Sequence, residues 1–171
     1  MVAAAHRPEP PRTGSEKETL EAYLDYHRAT ALWKLEGLSD EDVRRPMTPS
    51  GLTMLGLIKH MAYSERWWFQ GCFLGQDVEV LWSWDEDEDD PDAEFRVEPD
   101  ETTEGIVTMF REETERARDI VHEASLDDLS RLPRRSDYSL RWILLHTLQE
   151  TARHNGHLDL MRESLDGTTG E

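Results

Sequence analysis

The stretch Ser139-Leu-Arg-Trp-Ile-Leu-Leu-His-Thr-Leu-Gln-Glu-Thr-Ala-Arg-His-Asn-Gly-His-Leu-Asp-Leu-Met-Arg-Glu-Ser-Leu-Asp166 predicts one long amphipathic helix ending at Gly167. With about 100° of turn per residue, Leu140, Ile143, Thr147, Thr151, Leu158, Met161 and Leu165 fall in one stripe. His154 lies inside that stripe. Glu150, four residues earlier, lies at its edge, with His146 and His157 further round on the same side. A carboxylate and an imidazole one turn apart on a core-facing side are costly to bury unless they are paired or bound to something. A metal ion would satisfy both.

Working outward, three more long helices are predicted. Ser15 to Glu36 carries a capping-box pattern, Ser15 with Glu18, and apolar residues at helical spacing until Gly37. A second helix is expected from a Ser50 cap to about Leu74. It is apolar almost all round, with His60 in its middle. A third, capped by Asp100 or Thr103, runs to about Glu123 with a charged outer side. Ser39–Arg45 and Ser125–Ser130 read as single turns of helix. Residues 76–100 form a long connection holding Trp82, Trp84 and the acidic run 85–94. That run lacks the glycine and spacing of an EF-hand and reads as a solvated loop. The expectation is an all-α four-helix bundle over residues 15–168, with this long acidic loop between the second and third long helices. Residues 1–14 are expected to be a flexible lead-in without the apolar segment of a signal peptide.

Composition narrows the function. The 171 residues carry a formal net charge of −18, which argues against nucleic acid or an anionic membrane surface as partner. No run of about 18 apolar residues is present to span a bilayer. Cys72 is the single cysteine, so no internal disulfide forms; this fits a cytoplasmic protein. Cys72 sits in an apolar helical context and reads as an inert core thiol. His27 reads as a boundary histidine bonded to a neighbour, and His122 as a cation at a helix C-terminus. There is no Ser-His-Asp arrangement, phosphate loop or Cys-x-x-Cys.

Three segments together resemble the DinB-like superfamily of metal-binding four-helix bundles. They are Gly56-Leu-Ile-Lys-His-Met-Ala-Tyr-Ser-Glu-Arg-Trp-Trp-Phe, Tyr138-Ser-Leu-Arg-Trp-Ile-Leu-Leu-His, and Glu150-Thr-Ala-Arg-His-Asn-Gly-His-Leu-Asp. Within it, the chain resembles the branch allied to mycothiol-dependent enzymes, including maleylpyruvate isomerase. The likeness spans about residues 16–168. It implies a divalent metal held by one histidine of the second helix and two residues of the last. Carried over, these are His60, Glu150 and His154, the set that the helical reading also assembles. Many members have His-x-x-x-His where this chain has Glu150-x-x-x-His154. Zinc is the first expectation, and nickel, iron or manganese suit the same donors. His60, His154 and His157 form a competing trio, with His146 and His157 otherwise supporting.

The resemblance further implies a low-molecular-weight thiol such as mycothiol as cosubstrate. The metal would activate its thiolate toward an electrophilic substrate, in an S-transferase or isomerase reaction. Arg66, Arg141, Trp142 and Arg153, near the ligands in sequence, are the candidates for holding that thiol. The alternative is a non-catalytic metal-binding or small-molecule-binding stress-response bundle, its site closed by a fourth ligand such as His157. Members of the family often pair through helix faces, which implies a homodimer.

Overall fold

The computed structural model describes residues 6–82, 90 and 92–170. It is all-helical. Helix α1 spans Glu16–Trp33, the single turn α2 Asp40–Val43, α3 Met54–Glu65, α4 Thr103–Glu123 and α5 Leu140–Asp166. A π-helical segment, Arg66–Phe73, continues α3, and a 3₁₀ turn, Pro133–Arg135, precedes α5. Helix α3 lies along α4, and α1 along α5, which gives the four-helix bundle expected from the periodicity. Among the described residues there is no strand, only a lone antiparallel bridge between Leu129 and Ser139.

The caps show why the helices begin where they do. Ser15 accepts from Glu18 N while the Glu18 carboxylate accepts from Ser15 N, the reciprocal pair expected. The second long helix starts later than its sequence suggests. Gly51 sits at φ +83° and its N–H bonds Thr48 in a tight turn, so Ser50 cannot be the cap. Thr53 takes that role by accepting from Gly56 N. For α4 the cap is Thr102, between the two residues the sequence offered, and Ser139 caps α5. Gly167 ends α5 at φ +78°. Ser125–Ser130 forms a turn but no helix.

The expected stripe of α5 is buried at Leu140, Ile143, Thr147, Thr151, Leu158 and Met161, with His154 among them. Two apolar clusters fill the bundle. One joins Leu35, Leu57, Ile58, Phe110 and Leu158; the other joins Leu24, Phe69, Cys72, Phe73 and Ile143. Between them runs a buried polar layer: Arg28 from α1, Glu65 from α3, Glu113 and Thr114 from α4, Thr147 and Thr151 from α5. Arg28 donates to both oxygens of Glu65 at 2.7 and 2.6 Å. Glu113 accepts from Arg66, Gln70 and Arg116.

The N-terminal lead-in makes specific contacts. Arg7 donates to Tyr26 and Thr30 of α1 and lies over the rings of Tyr26 and Trp33. In the long connection, Trp82 packs edge-on against Trp67. Trp84 and the acidic residues 85–89 fall outside the described residues. The end of the connection docks on α3. Lys59, almost fully buried, donates to the Arg96 carbonyl at 2.7 Å and to Glu101 at 2.8 Å. A Cβ placed on Gly56 would land well inside contact distance of the Phe95 carbonyl oxygen. Alanine normally improves a helix interior by about 1 kcal/mol over glycine. Here the sign reverses. Gly56→Ala is expected to destabilise the protein by about 1–3 kcal/mol through overpacking against backbone, measured as a lower urea midpoint at unchanged slope.

Candidate metal centre

The docked connection, the start of α3 and the middle of α5 enclose an open cleft of about 800 Å³. Its lining includes His60, Glu150, His154 and His157, the apolar Leu52, Leu57, Phe95 and Val97, and the rim arginines Arg44, Arg96 and Arg153. The fold thus brings to one wall the three residues singled out as ligands. The His60 and His154 rings are 4.7 Å apart, centroid to centroid, near perpendicular. His154 Nε2 lies 3.8 Å from Glu150 Oε2, beyond a hydrogen bond. His157 stands 5.6 Å from His154, ring to ring.

Four ring nitrogens here are buried without a hydrogen-bond partner: Nδ1 of His60, Nδ1 and Nε2 of His154, and Nδ1 of His157. Leaving such a group unpaired costs about 1–3 kcal/mol. A cluster of under-bonded imidazoles beside a carboxylate fits a site for a divalent cation, which would bond one nitrogen of each ligating ring. The side chains are near but not converged. Among the described residues, no three His, Cys, Asp or Glu side chains stand close enough to hold an ion as they are. Burial, then the charges of His60, His157 and Arg153, push the His154 imidazole down to about 3. It is therefore neutral at physiological pH, the form in which histidine binds metals.

That depression has a consequence for folding. In the unfolded chain His154 takes up a proton below its ordinary 6.5, whereas the folded protein resists doing so until about pH 3. The unfolded state therefore binds more protons in this window, and stability falls as pH falls. Full stability from this group holds above pH 6.5. Urea melts of the metal-free protein at pH 6.5 and below should show a loss approaching about 1.4 kcal/mol per pH unit from this residue, absent in His154→Leu.

The four residues expected to hold a thiol are scattered. Only Arg153 lines the cleft, where it lies 3.5 Å from Glu150. Arg66 instead bonds buried Glu113. Arg141 is tied to Glu16 and Asp127. Trp142 belongs to an aromatic group with Trp68, Tyr138 and His146, which also takes His146 out of the cleft. In their place the cleft offers Arg44 and Arg96, neither adjacent in sequence to a ligand. Cys72 is fully buried, its thiol pushed up by burial, and lies outside the cleft lining, which agrees with an inert core thiol. His27 contacts Asn155 Nδ2, which also donates to the His27 carbonyl.

The family model described as Mycothiol-S-transferase matches residues 19–167. The chain belongs to that family. The match takes in α1 from Thr19 onward, the other three long helices whole, and every residue of the cleft named above. No curated protein matches the chain. Among the described residues of this mycothiol S-transferase family member, no helix is long and apolar enough to cross a membrane.

Sequence reasoning missed two neighbours of His60. Phe95 stacks on its ring at 4.3 Å, nearly parallel, and Glu94 Oε2 stands 3.0 Å from its Nδ1. Both lie more than 30 positions away along the chain, in a stretch whose only local signal is its acidity.

Proposed function

We propose that the protein is a divalent-metal-dependent S-transferase that joins a low-molecular-weight thiol, mycothiol or a close analogue, to an electrophile. His60, Glu150 and His154 would hold the ion, with zinc the first choice and nickel, iron or manganese suited to the same donors. When bound, the ion lowers a thiol's pKa so that the thiolate forms near neutral pH. The observation that carries this reading is His154: neutral, buried, both ring nitrogens unpartnered, on the wall of an open cleft beside Glu150 and His60. The family match supports the thiol.

The chain's own residues supply the rest. Leu52, Leu57, Phe95 and Val97 present apolar surface that limits water around the reacting sulfur. Arg44, Arg96 and Arg153 stand in the cleft lining, paired with Asp40, with Asp90 and Glu98, and with Glu150; they would exchange these partners for the polar and anionic parts of the thiol and its acceptor.

The test begins with protein purified without chelator or metal-affinity tag. Elemental analysis should find about one equivalent of a divalent metal, and mycothiol plus a fluorogenic halide should give a conjugate at a rate that falls on metal removal and returns on zinc addition. A metal-free protein that also refuses added zinc would sink the reading. One observation favours a second reading, a closed non-catalytic site: His157 Nδ1 is also buried and unpartnered beside His154. In that case the bound ion would carry no exchangeable water and no conjugate would form.

A further inference from the structure

We propose that Glu94 is a positioning residue for His60. Its carboxylate accepts from Nδ1–H, fixes that tautomer, and so leaves the bare Nε2 as the nitrogen offered to the cleft. The inference deepens the metal-centre reading and rests on it for its purpose, though not for its geometry.

His60 Nδ1 is buried, and Glu94 Oε2 stands 3.0 Å from it. At that distance the two are in ion-pair contact, with no hydrogen bond yet made between them. Small rotations of either side chain would align them, as polar contacts of empty sites commonly do when their ligand arrives. Neutral histidine in water favours the Nε2–H form. A ring in that form must lose or move its proton before Nε2 can ligate. The tautomer is set by what the other nitrogen bonds, and a carboxylate at Nδ1 sets it in favour of a free Nε2.

The placement of Glu94 is built into the fold rather than being a chance surface contact. The next residue, Phe95, stacks on the same imidazole at 4.3 Å and 17°. The Phe95 carbonyl fits only because position 56, one turn before His60, is glycine. Buried Lys59 then holds the following carbonyl, that of Arg96, at 2.7 Å. Three consecutive residues of the connection are thus fixed to three positions of α3 around His60. The Glu94 side chain itself is mostly buried, about 18% exposed, which shields the contact from water.

The experiment uses metal-free, ¹⁵N-labelled full-length protein at alkaline pH. Long-range proton–nitrogen correlation of the histidine rings reports which nitrogen carries the proton. Wild type should show His60 protonated at Nδ1. Glu94→Ala should move it toward the Nε2–H pattern, while Glu94→Gln, whose carbonyl still accepts, should retain most of the wild-type pattern and checks that the fold survives. Zinc affinity, by competition with a chromophoric chelator, should fall ten- to hundredfold in Glu94→Ala and less in Glu94→Gln. A wild-type ring already in the Nε2–H form, or a Glu94→Ala ring unchanged from wild type, overturns the proposal. Weaker zinc binding without a tautomer change also overturns it. Should the wild type show the expected tautomer yet bind no zinc, the His60–Glu94 pairing stands and the metal-centre reading falls.

Discussion

His154→Ala is expected to weaken zinc binding at the proposed centre by about a hundredfold or more while leaving the metal-free fold nearly as stable as wild type. The two effects separate because His154 is an unusual core residue. Truncating an ordinary buried side chain of this size costs about 2–5 kcal/mol through lost burial and the cavity left behind. His154 is only 6% exposed, yet neither ring nitrogen has a partner. Two unsatisfied polar atoms at about 1–3 kcal/mol each offset most of what its packing contributes. Alanine removes both terms together, and water enters from the adjoining cleft. In the metal-loaded protein the balance is different, because the imidazole is then a ligand. The affinity for zinc should fall by on the order of a hundredfold or more, exceeding the ten- to hundredfold that outer partners of a ligand are worth. Zinc competition titrations and urea melts of the metal-free proteins read the two quantities separately. A variant that keeps wild-type affinity would remove His154 from the proposed site; one that unfolds readily without metal would overturn the expected separation of the two effects.

Glu65→Ala is expected to be the most damaging single change to stability, about 3–5 kcal/mol. Arg28 is almost fully buried and its guanidinium is matched by both Glu65 oxygens. Asp25 is its other partner, at 2.8 Å. Without Glu65 the charge stays buried with two of its three hydrogen bonds missing. For a chain of this length the loss corresponds to roughly 6–20 °C in Tm. The pair itself is not what holds the bundle together. Replacing both members, Arg28→Met with Glu65→Leu, should recover most of the stability, since packed apolar groups commonly equal a buried ion pair. A thermal melt of the single and double variants decides this. Equal losses in both would mean that the polar layer is required as a unit.

Much of the fold was legible in the chain because helices are local. The α5 stripe, the Ser15–Glu18 box and the Gly167 stop are short-range signals, and each lies where its spacing put it. The cleft was legible to the extent that its parts share an element: Glu150 and His154 are one turn apart on α5. Three of the four thiol-binding candidates lie outside the cleft for a related reason. Arg141 is nine residues before Glu150, roughly 13 Å along a helix axis, so nearness in sequence carried it out of reach and onto Glu16 and Asp127. Arg66 is only six positions after His60, but Glu113 claims it for the polar layer. Glu94, Phe95 and Arg96 could not be found by period or spacing. Glu94 and Phe95 reach His60, and Arg96 reaches Lys59, through a tertiary fit that depends on the absence of one methyl group at Gly56.

The polar interior also decides what the surface lacks. The chain has three lysines. Lys34 is buried against Asp159, Lys59 is buried under the docked connection, and Lys17 is tied to the carbonyls of His122 and Ala124. The single thiol, Cys72, is sealed in the core. A protein carrying out the proposed reaction would face the hazard of being alkylated or acylated by its own substrate. Among the described residues, this one keeps its lysine amines and its thiol engaged or enclosed and leaves imidazoles exposed at His6 and His122, so that under the proposed reaction a thiol cosubstrate would be the softest nucleophile a free electrophile meets.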